Sequence, residues 1–182
     1  GAAMLCLFLS GFCDAFDGKV ARTKKNRTDD EKAFGIQLDS LCDVVSFGVA
    51  PAFCFYCMGV DSVLGIVILC CYCVCAVIRL GFFNVQEAKR QQVESGSNKY
   101  YRGLPVTTSA LIFPIFYLLK PLLPGKVFVS CLYLLAAVTA FLFILDFKLP
   151  KPGLKQILMI IAAMGVTVAI IFGYTRYRLP DQ

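Results

Sequence analysis

The sequence predicts an all-α, polytopic transmembrane bundle of about six helices, and three observations predict it. Hydrophobic residues fill 58% of the 182 positions, and the mean hydropathy is +0.72. Charged residues make up only 16%, against roughly 25% in soluble domains. The charges are gathered into short stretches between long apolar runs, as in chains that cross a bilayer repeatedly. No polar stretch is long enough to build a separate soluble domain, so residues 1–182 read as one transmembrane domain.

The segments follow in order. The first, about Ala2 to Ala21, is apolar in its first half and carries Asp14 and Asp17 in its second. It is short for a crossing of about 20 apolar residues, so its polar end belongs at the interface or in a water-filled cavity. Lys19, Arg22, Lys24, Lys25 and Arg27 follow, then Asp29, Asp30, Glu31 and Lys32, which read as a solvent-facing loop. The second segment, about Ala33 to Met58, opens with Asp39 and Asp43 and then turns apolar. Pro51 is expected to kink or end it, because proline removes a helical hydrogen bond. Gly48 beside it allows close helix approach. The third segment, about Val60 to Val85, is long and apolar, with Arg79 near its end. A polar loop runs to Arg102, after helical overrun through Gln92. The fourth, Leu104 to Leu119, opens with Pro105 and contains Pro114, which predicts a bent helix. Turns at 120–126 and 148–153 bracket the fifth, Val127 to Phe147, and the sixth is Leu154 to Tyr174.

Charge sets the orientation. The loops at 19–32, 86–102 and 148–155 lie on one side and hold thirteen Lys and Arg, against four on the other. The positive-inside rule then puts Asp14, Asp17, Asp39 and Asp43 at the cytoplasmic face of a cell membrane. The net charge of +6 reads as topology and contact with anionic lipid headgroups, with no nucleic-acid partner. The absence of His and Trp excludes imidazole metal sites, histidine bases and a tryptophan belt. Neither a G-x-G-x-x-G turn before a strand nor a Walker lysine loop is present. Ten cysteines crowd apolar runs, which predicts buried free thiols and no disulfide framework.

The four aspartates ask for a chemical explanation. Asp14 and Asp17 are three apart and Asp39 and Asp43 four apart, so on helices each pair shares a face. Like charges so placed repel, and near hydrocarbon the cost rises. Carboxylates without His or thiolate partners favour a hard divalent cation, Mg²⁺ or Mn²⁺. Two such cations would fit if the pairs face each other across a helix hairpin, clamping both ends of a phosphoryl-type displacement. A solvated helix end and a carboxylate-lined cation path are the alternatives from the residues alone. Gly18, Ala21 and Gly35 leave room for a planar group against backbone, and Arg22 is placed to reach a phosphate. Close helix packing would also use these small residues.

The stretch Asp14-x-x-Asp17-Gly18-x-x-Ala21-Arg22, followed by Gly35-x-x-x-Asp39-x-x-x-Asp43, resembles the signature of the CDP-alcohol phosphatidyltransferases. Phe34 to Pro51, Ile78 to Val85 and Gly103-Leu-Pro105 look like its phosphatidylserine synthase subgroup, so the likeness runs from Asp14 to about Ser109. The loop between Arg22 and Gly35 holds twelve residues, more than the family pattern usually has. The family also has a membrane helix before the one that opens the motif, and a truncated N-terminus is the expectation here.

The resemblance implies a transmembrane catalytic domain that moves a phosphatidyl group from CDP-diacylglycerol, or a similar CDP-lipid, to the hydroxyl of L-serine, with CMP leaving. It makes Asp14, Asp17, Asp39 and Asp43 ligands of two divalent cations and Asp43 the general base. Gly18, Ala21 and Gly35 would line the CDP pocket, with Arg22 on phosphate. The serine carboxylate needs a cation, for which Arg79, Lys99 and Arg102 are candidates; Ser40, Ser46 and Asn84 would add hydrogen bonds. Snorkelling to the headgroups is the alternative for Arg79. Sister enzymes using glycerol phosphate or inositol phosphate are the near rivals, and a divalent-cation transporter the distant one. A homodimer is the expected assembly.

Overall fold

The computed structural model describes residues 1–21, 23–24, 26–93 and 100–150, with residues 165–166, 169–170 and 173. Among them the chain forms α1 (Ala2–Ala21), α2 (Asp29–Asp43), α3 (Ala50–Cys57), α4 (Val63–Val93), α5 (Ser109–Tyr117) and α6 (Gly125–Ile144). A π-helical turn, Val44–Val49, joins α2 to α3 without a break, and a 3-10 turn, Val106–Thr108, leads into α5. The all-α bundle is therefore present. Three stretches are long and apolar enough to cross a membrane: Asp29–Cys57, Val63–Gln86 and Gly125–Ile144. The first and fourth expected segments are α1 and the shorter apolar helix Val106–Tyr117. The sixth lies outside the described residues, apart from a few helical positions between 165 and 173.

Three features differ from the sequence reading. Asp29, Asp30 and Glu31, read as loop, form the first turn of α2. Thr28 explains this. Its hydroxyl oxygen accepts from the Glu31 N–H at 3.2 Å, and the Glu31 carboxylate accepts from the Thr28 N–H at 3.0 Å. That capping box satisfies two orphan donors, and the three acids sit where the helix dipole favours them. The second difference is a two-stranded antiparallel ribbon. β1 (Tyr100–Arg102) pairs with β2 (Lys148–Pro150), Tyr101 opposite Leu149, and both had read as plain loop or turn.

The third concerns Pro51, which does not end its helix. The helix runs on to Cys57, with Pro51 as the second residue of α3. In an α-helix its N–H would have served the carbonyl four residues back, that of Phe47. Two side chains serve that carbonyl instead. The Tyr72 hydroxyl of α4 and the Ser109 hydroxyl of α5 both donate to Phe47 O, and both residues are fully buried. Around this point the turn is widened. The Ala50 N–H reaches the Val45 carbonyl, five residues back, as in a π-helix.

The core gathers where α3, α4, α5 and α6 meet. Phe55 packs on Phe113 with ring centroids 4.7 Å apart, and Tyr72 touches Phe113 and Phe143 at 5.8 and 5.6 Å. Small residues set the closest approaches, as membrane helices require. Gly48 faces Ala76, where an added Cβ would lie 3.4 Å from the alanine methyl. Gly11 is tighter still: a Cβ there would come within 2.6 Å of Ala110 Cβ. At the turn after α3, Gly59 takes φ +109, a conformation that favours glycine. All ten cysteines are free, as expected, but six lie on the outer surface and none is fully buried. A small apolar thiol suits a lipid-facing surface as well as a core.

Gly11→Ala is expected to push α1 off α5 at a cost of roughly 1–3 kcal/mol, seen as a fall of several degrees in the thermal midpoint in detergent. Gly81→Ala, in α4 with no described atom within 4 Å of the new methyl, is expected to be neutral or stabilising by up to about 1 kcal/mol. Equal midpoints for the two variants would contradict the assigned packing.

Candidate functional site

The end of α1 and the first half of the long second helix bring the acids together. One carboxylate oxygen from each of Asp14, Asp39 and Asp43 lies within 4.8 Å of the others. Asp14 and Asp43 are within hydrogen-bonding range, and so are Asp17 and Asp39. The pairing runs in opposite chain directions, as in a helix hairpin of α1 and α2. Asp17 stands at the margin, outside the mutually close trio. Asp39 is exposed, while Asp14 and Asp43 are half-buried.

These oxygens fit a metal on their own chemistry. Two unit negative charges at such spacing repel by roughly 3 kcal/mol at the effective dielectric of about 20 that suits a protein surface. Among the described residues no Lys or Arg is ion-paired with any of them; the ion pairs Lys24–Glu31 and Lys32–Asp29 lie on the exposed loop side. A bound cation would compensate them, and an all-carboxylate donor set selects a hard divalent one. The trio can hold one such ion.

Gly18 and Ala21 lie on the exposed side of α1, beside the acids. An open, almost wholly apolar surface lies on one face of α1 here, formed by Phe12, Cys13, Phe16, Asp17, Val20 and Ala21. It joins a metal-ligand candidate to a surface suited to hydrocarbon. Gly35 meets a residue that had been counted only as loop charge. The Arg27 guanidinium donates to the carbonyls of Ala21 (3.3 Å) and Glu31 (3.5 Å), and a Cβ on Gly35 would lie 2.8 Å from its Nη2. Arg27 thus occupies the notch between Ala21 and Gly35. Its signal in the sequence was its place in the lengthened loop. Arg22 lies outside the described residues.

The acceptor candidates separate. Arg79 is buried, at 5% exposure, so it does not snorkel. Its Nε donates to the Leu104 carbonyl at 2.9 Å, and its guanidinium packs on Gly103. Gly103 has φ +69, and a Cβ there would strike both Arg79 and the Leu145 carbonyl. The two later stretches of the sequence resemblance, around Arg79 and at Gly103–Pro105, are therefore in direct contact. The Asn84 amide of α4 donates to Ser40 Oγ at 2.7 Å, which ties α4 to the helix bearing Asp39 and Asp43. Ser46 lies half-buried in the π-turn. Arg102 is in β1, and Lys99 lies outside the described residues. The hydroxyls of Tyr72 and Ser109, which support the π-turn just after Asp43, were not singled out from sequence. Nothing in a buried Tyr or Ser marks it in advance.

A family model described as CDP-alcohol phosphatidyltransferase matches residues 1–169. The chain is 41% identical over 115 residues to a CDP-diacylglycerol–serine O-phosphatidyltransferase of Saccharomyces cerevisiae, covering 62% of this chain and 40% of that protein. It is 37% identical over 118 residues to an archaetidylserine synthase of Methanothermobacter thermautotrophicus, covering 64% and 46%. Against a CDP-diacylglycerol–serine O-phosphatidyltransferase of Methanocaldococcus jannaschii it is 33% identical over 166 residues, covering 91% and 71%. The matched stretches thus span less than half the length of the first two relatives. No solved structure matches.

Mn²⁺ titration followed by electron paramagnetic resonance is expected to show binding that falls steeply in Asp14→Ala, Asp39→Ala and Asp43→Ala. The loss should exceed the roughly 10–100-fold typical of removing a ligand's outer partner. Asp29→Ala, on the loop side, should bind as the unaltered chain does. Equal affinity in all four variants would remove the trio as a metal site.

Proposed function

This chain belongs to the CDP-alcohol phosphatidyltransferase family, and from that premise we propose that it transfers a phosphatidyl group from CDP-diacylglycerol, or a similar CDP-lipid, to L-serine. The observation that carries the reading is the approach of Asp14, Asp39 and Asp43 to within 4.8 Å, at the positions that match the family motif. The serine-directed part rests on the relatives, two of them named as serine O-phosphatidyltransferases.

Two divalent cations, Mg²⁺ or Mn²⁺, held by Asp14, Asp17, Asp39 and Asp43, would supply neutralising charge at the diphosphate. The chain's own groups do the rest. Asp43 accepts the proton of the serine hydroxyl as that oxygen attacks the lipid-side phosphorus; a carboxylate within hydrogen-bond reach makes a poor nucleophile competent. The new bond joins serine oxygen to phosphorus. The bond that breaks links that phosphorus to the bridging oxygen, and the electron pair leaves with CMP. Gly18, Ala21 and Gly35 give the nucleotide backbone to lie on, with Arg22 at phosphate, and Arg27 swings aside from the notch. The open apolar face of α1 lies alongside the donor's hydrocarbon, so the headgroup reacts at the membrane edge. The Lys and Arg asymmetry of the loops supports a cytoplasmic position for that edge. Arg79, Lys99 and Arg102 remain the cations proposed for the serine carboxylate, with Ser46 and Asn84 as neutral partners.

The deciding assay measures CMP release from CDP-diacylglycerol, with serine, glycerol phosphate and inositol phosphate offered separately, each with and without Mg²⁺ or Mn²⁺. Turnover is expected with serine and metal only. Turnover with a phosphorylated acceptor instead would make this a sister enzyme. Turnover with none, by a chain that still binds Mn²⁺, would remove the transferase reading. Asp43→Asn is expected to abolish turnover and to leave CMP binding in place; a variant that still turns over would exclude Asp43 as the base.

A further inference from the structure

We infer that Tyr72 and Ser109 are positioning residues of the aspartate site: by holding the Phe47 carbonyl they keep the π-turn open, and the π-turn aims Asp39 and Asp43 at Asp14. The inference rests on reading the aspartates as a divalent-cation site.

The argument begins with Pro51. It has no N–H, so the Phe47 carbonyl loses the donor an α-helix would give it. That carbonyl is deep in the bundle, where water is not at hand to replace the donor. Hydroxyls from two other helices, Tyr72 on α4 and Ser109 on α5, converge on it instead. Both belong to the fully buried core. The Cys73 thiol adds a weaker contact to the next carbonyl, Gly48 O, at 3.7 Å. Gly48 lets this turn lie against Ala76 closely enough for these contacts to form.

The consequence reaches the acids through helix phase. The π-turn starts at Val44, directly after Asp43. It takes up one more residue than an α-turn before closing its hydrogen bond. One residue in an α-helix is about 100° of rotation. Everything before the π-turn is therefore rotated by about that angle relative to α3, compared with an unbroken α-helix. α3 is fixed by Phe55 against Phe113, so it is α2 that turns. Without the π-turn, Asp39 and Asp43 would face well away from Asp14. The two hydroxyls thus act on the cation site from the other side of the core, through one backbone carbonyl.

The test uses the full chain in detergent and three variants: Ser109→Ala, the double variant Tyr72→Phe with Ser109→Ala, and that double variant carrying Pro51→Ala as well. Mn²⁺ affinity and thermal midpoint are read on each. The double variant is expected to lose roughly tenfold in Mn²⁺ affinity, the low end for removal of an outer partner of a metal ligand, and Ser109→Ala a smaller part of it. Pro51→Ala gives Phe47 O a backbone donor again and lets the helix close as α. The triple variant should therefore regain its thermal midpoint while its Mn²⁺ affinity stays low. A purely structural role predicts the opposite, with affinity returning alongside stability, and that result would overturn the inference. So would undiminished affinity in Ser109→Ala and the double variant. If the unaltered chain itself binds no Mn²⁺, the reading of the site falls first and this inference with it.

Discussion

A backbone carbonyl in the middle of a membrane-spanning helix has few ways to be satisfied, and the Phe47 carbonyl uses an unusual one. Pro51 takes away its ordinary donor, and unsatisfied polar groups in hydrocarbon cost several kcal/mol. Tyr72 and Ser109 supply the missing hydrogen bonds from α4 and α5. Three helices are thereby joined at one atom. The same contact lies beside the aromatic core, since Tyr72 also packs on Phe113 and Phe143. It also lies one turn beyond Asp43. Core packing, helix geometry and the acidic site therefore meet within a few residues.

The acids sit at the opposite extreme of environment. They cluster between the second half of α1 and the last turns of α2, beside an open apolar surface on α1. This placement suits a substrate that is charged at one end and hydrocarbon at the other. A cation-compensated carboxylate cluster at mid-depth would cost far more to desolvate, whereas at the interface the charged headgroup and water can both reach it. The buried Arg79 lies on α4 between Tyr72, which reaches Phe47, and Asn84, which reaches Ser40. It holds the Gly103–Leu104 link against α4, beside the point where the Gly103 N–H bonds the Phe147 carbonyl and the β ribbon begins.

Much of this was legible from the chain. Long apolar runs marked α1, α4, α6 and the second helix, because burial in lipid demands a composition that soluble folds do not. The spacing of Asp14, Asp17, Asp39 and Asp43 marked the site, because three- and four-residue intervals place side chains on one helix face. The start of α2 was missed by four residues. Charge at 29–31 reads as loop until Thr28 and Glu31 are seen to cap each other. The β ribbon was missed because its strands are three residues long and 48 apart in the sequence, too short for any periodicity. Arg27 was missed as a site neighbour because only the folded loop turns it back onto Ala21 and Gly35.

By itself, the sequence determined the class of the protein, the order of its helices and the identity of the acids. These follow from composition and from local spacing, which need no knowledge of distant contacts. The tertiary structure decided which way the acids face. That depends on Pro51 leaving a carbonyl without a donor and on hydroxyls 25 and 62 residues further along the chain supplying one. Phase along a helix is a local property, but a π-turn is stable here only because two other helices complete its hydrogen bonds.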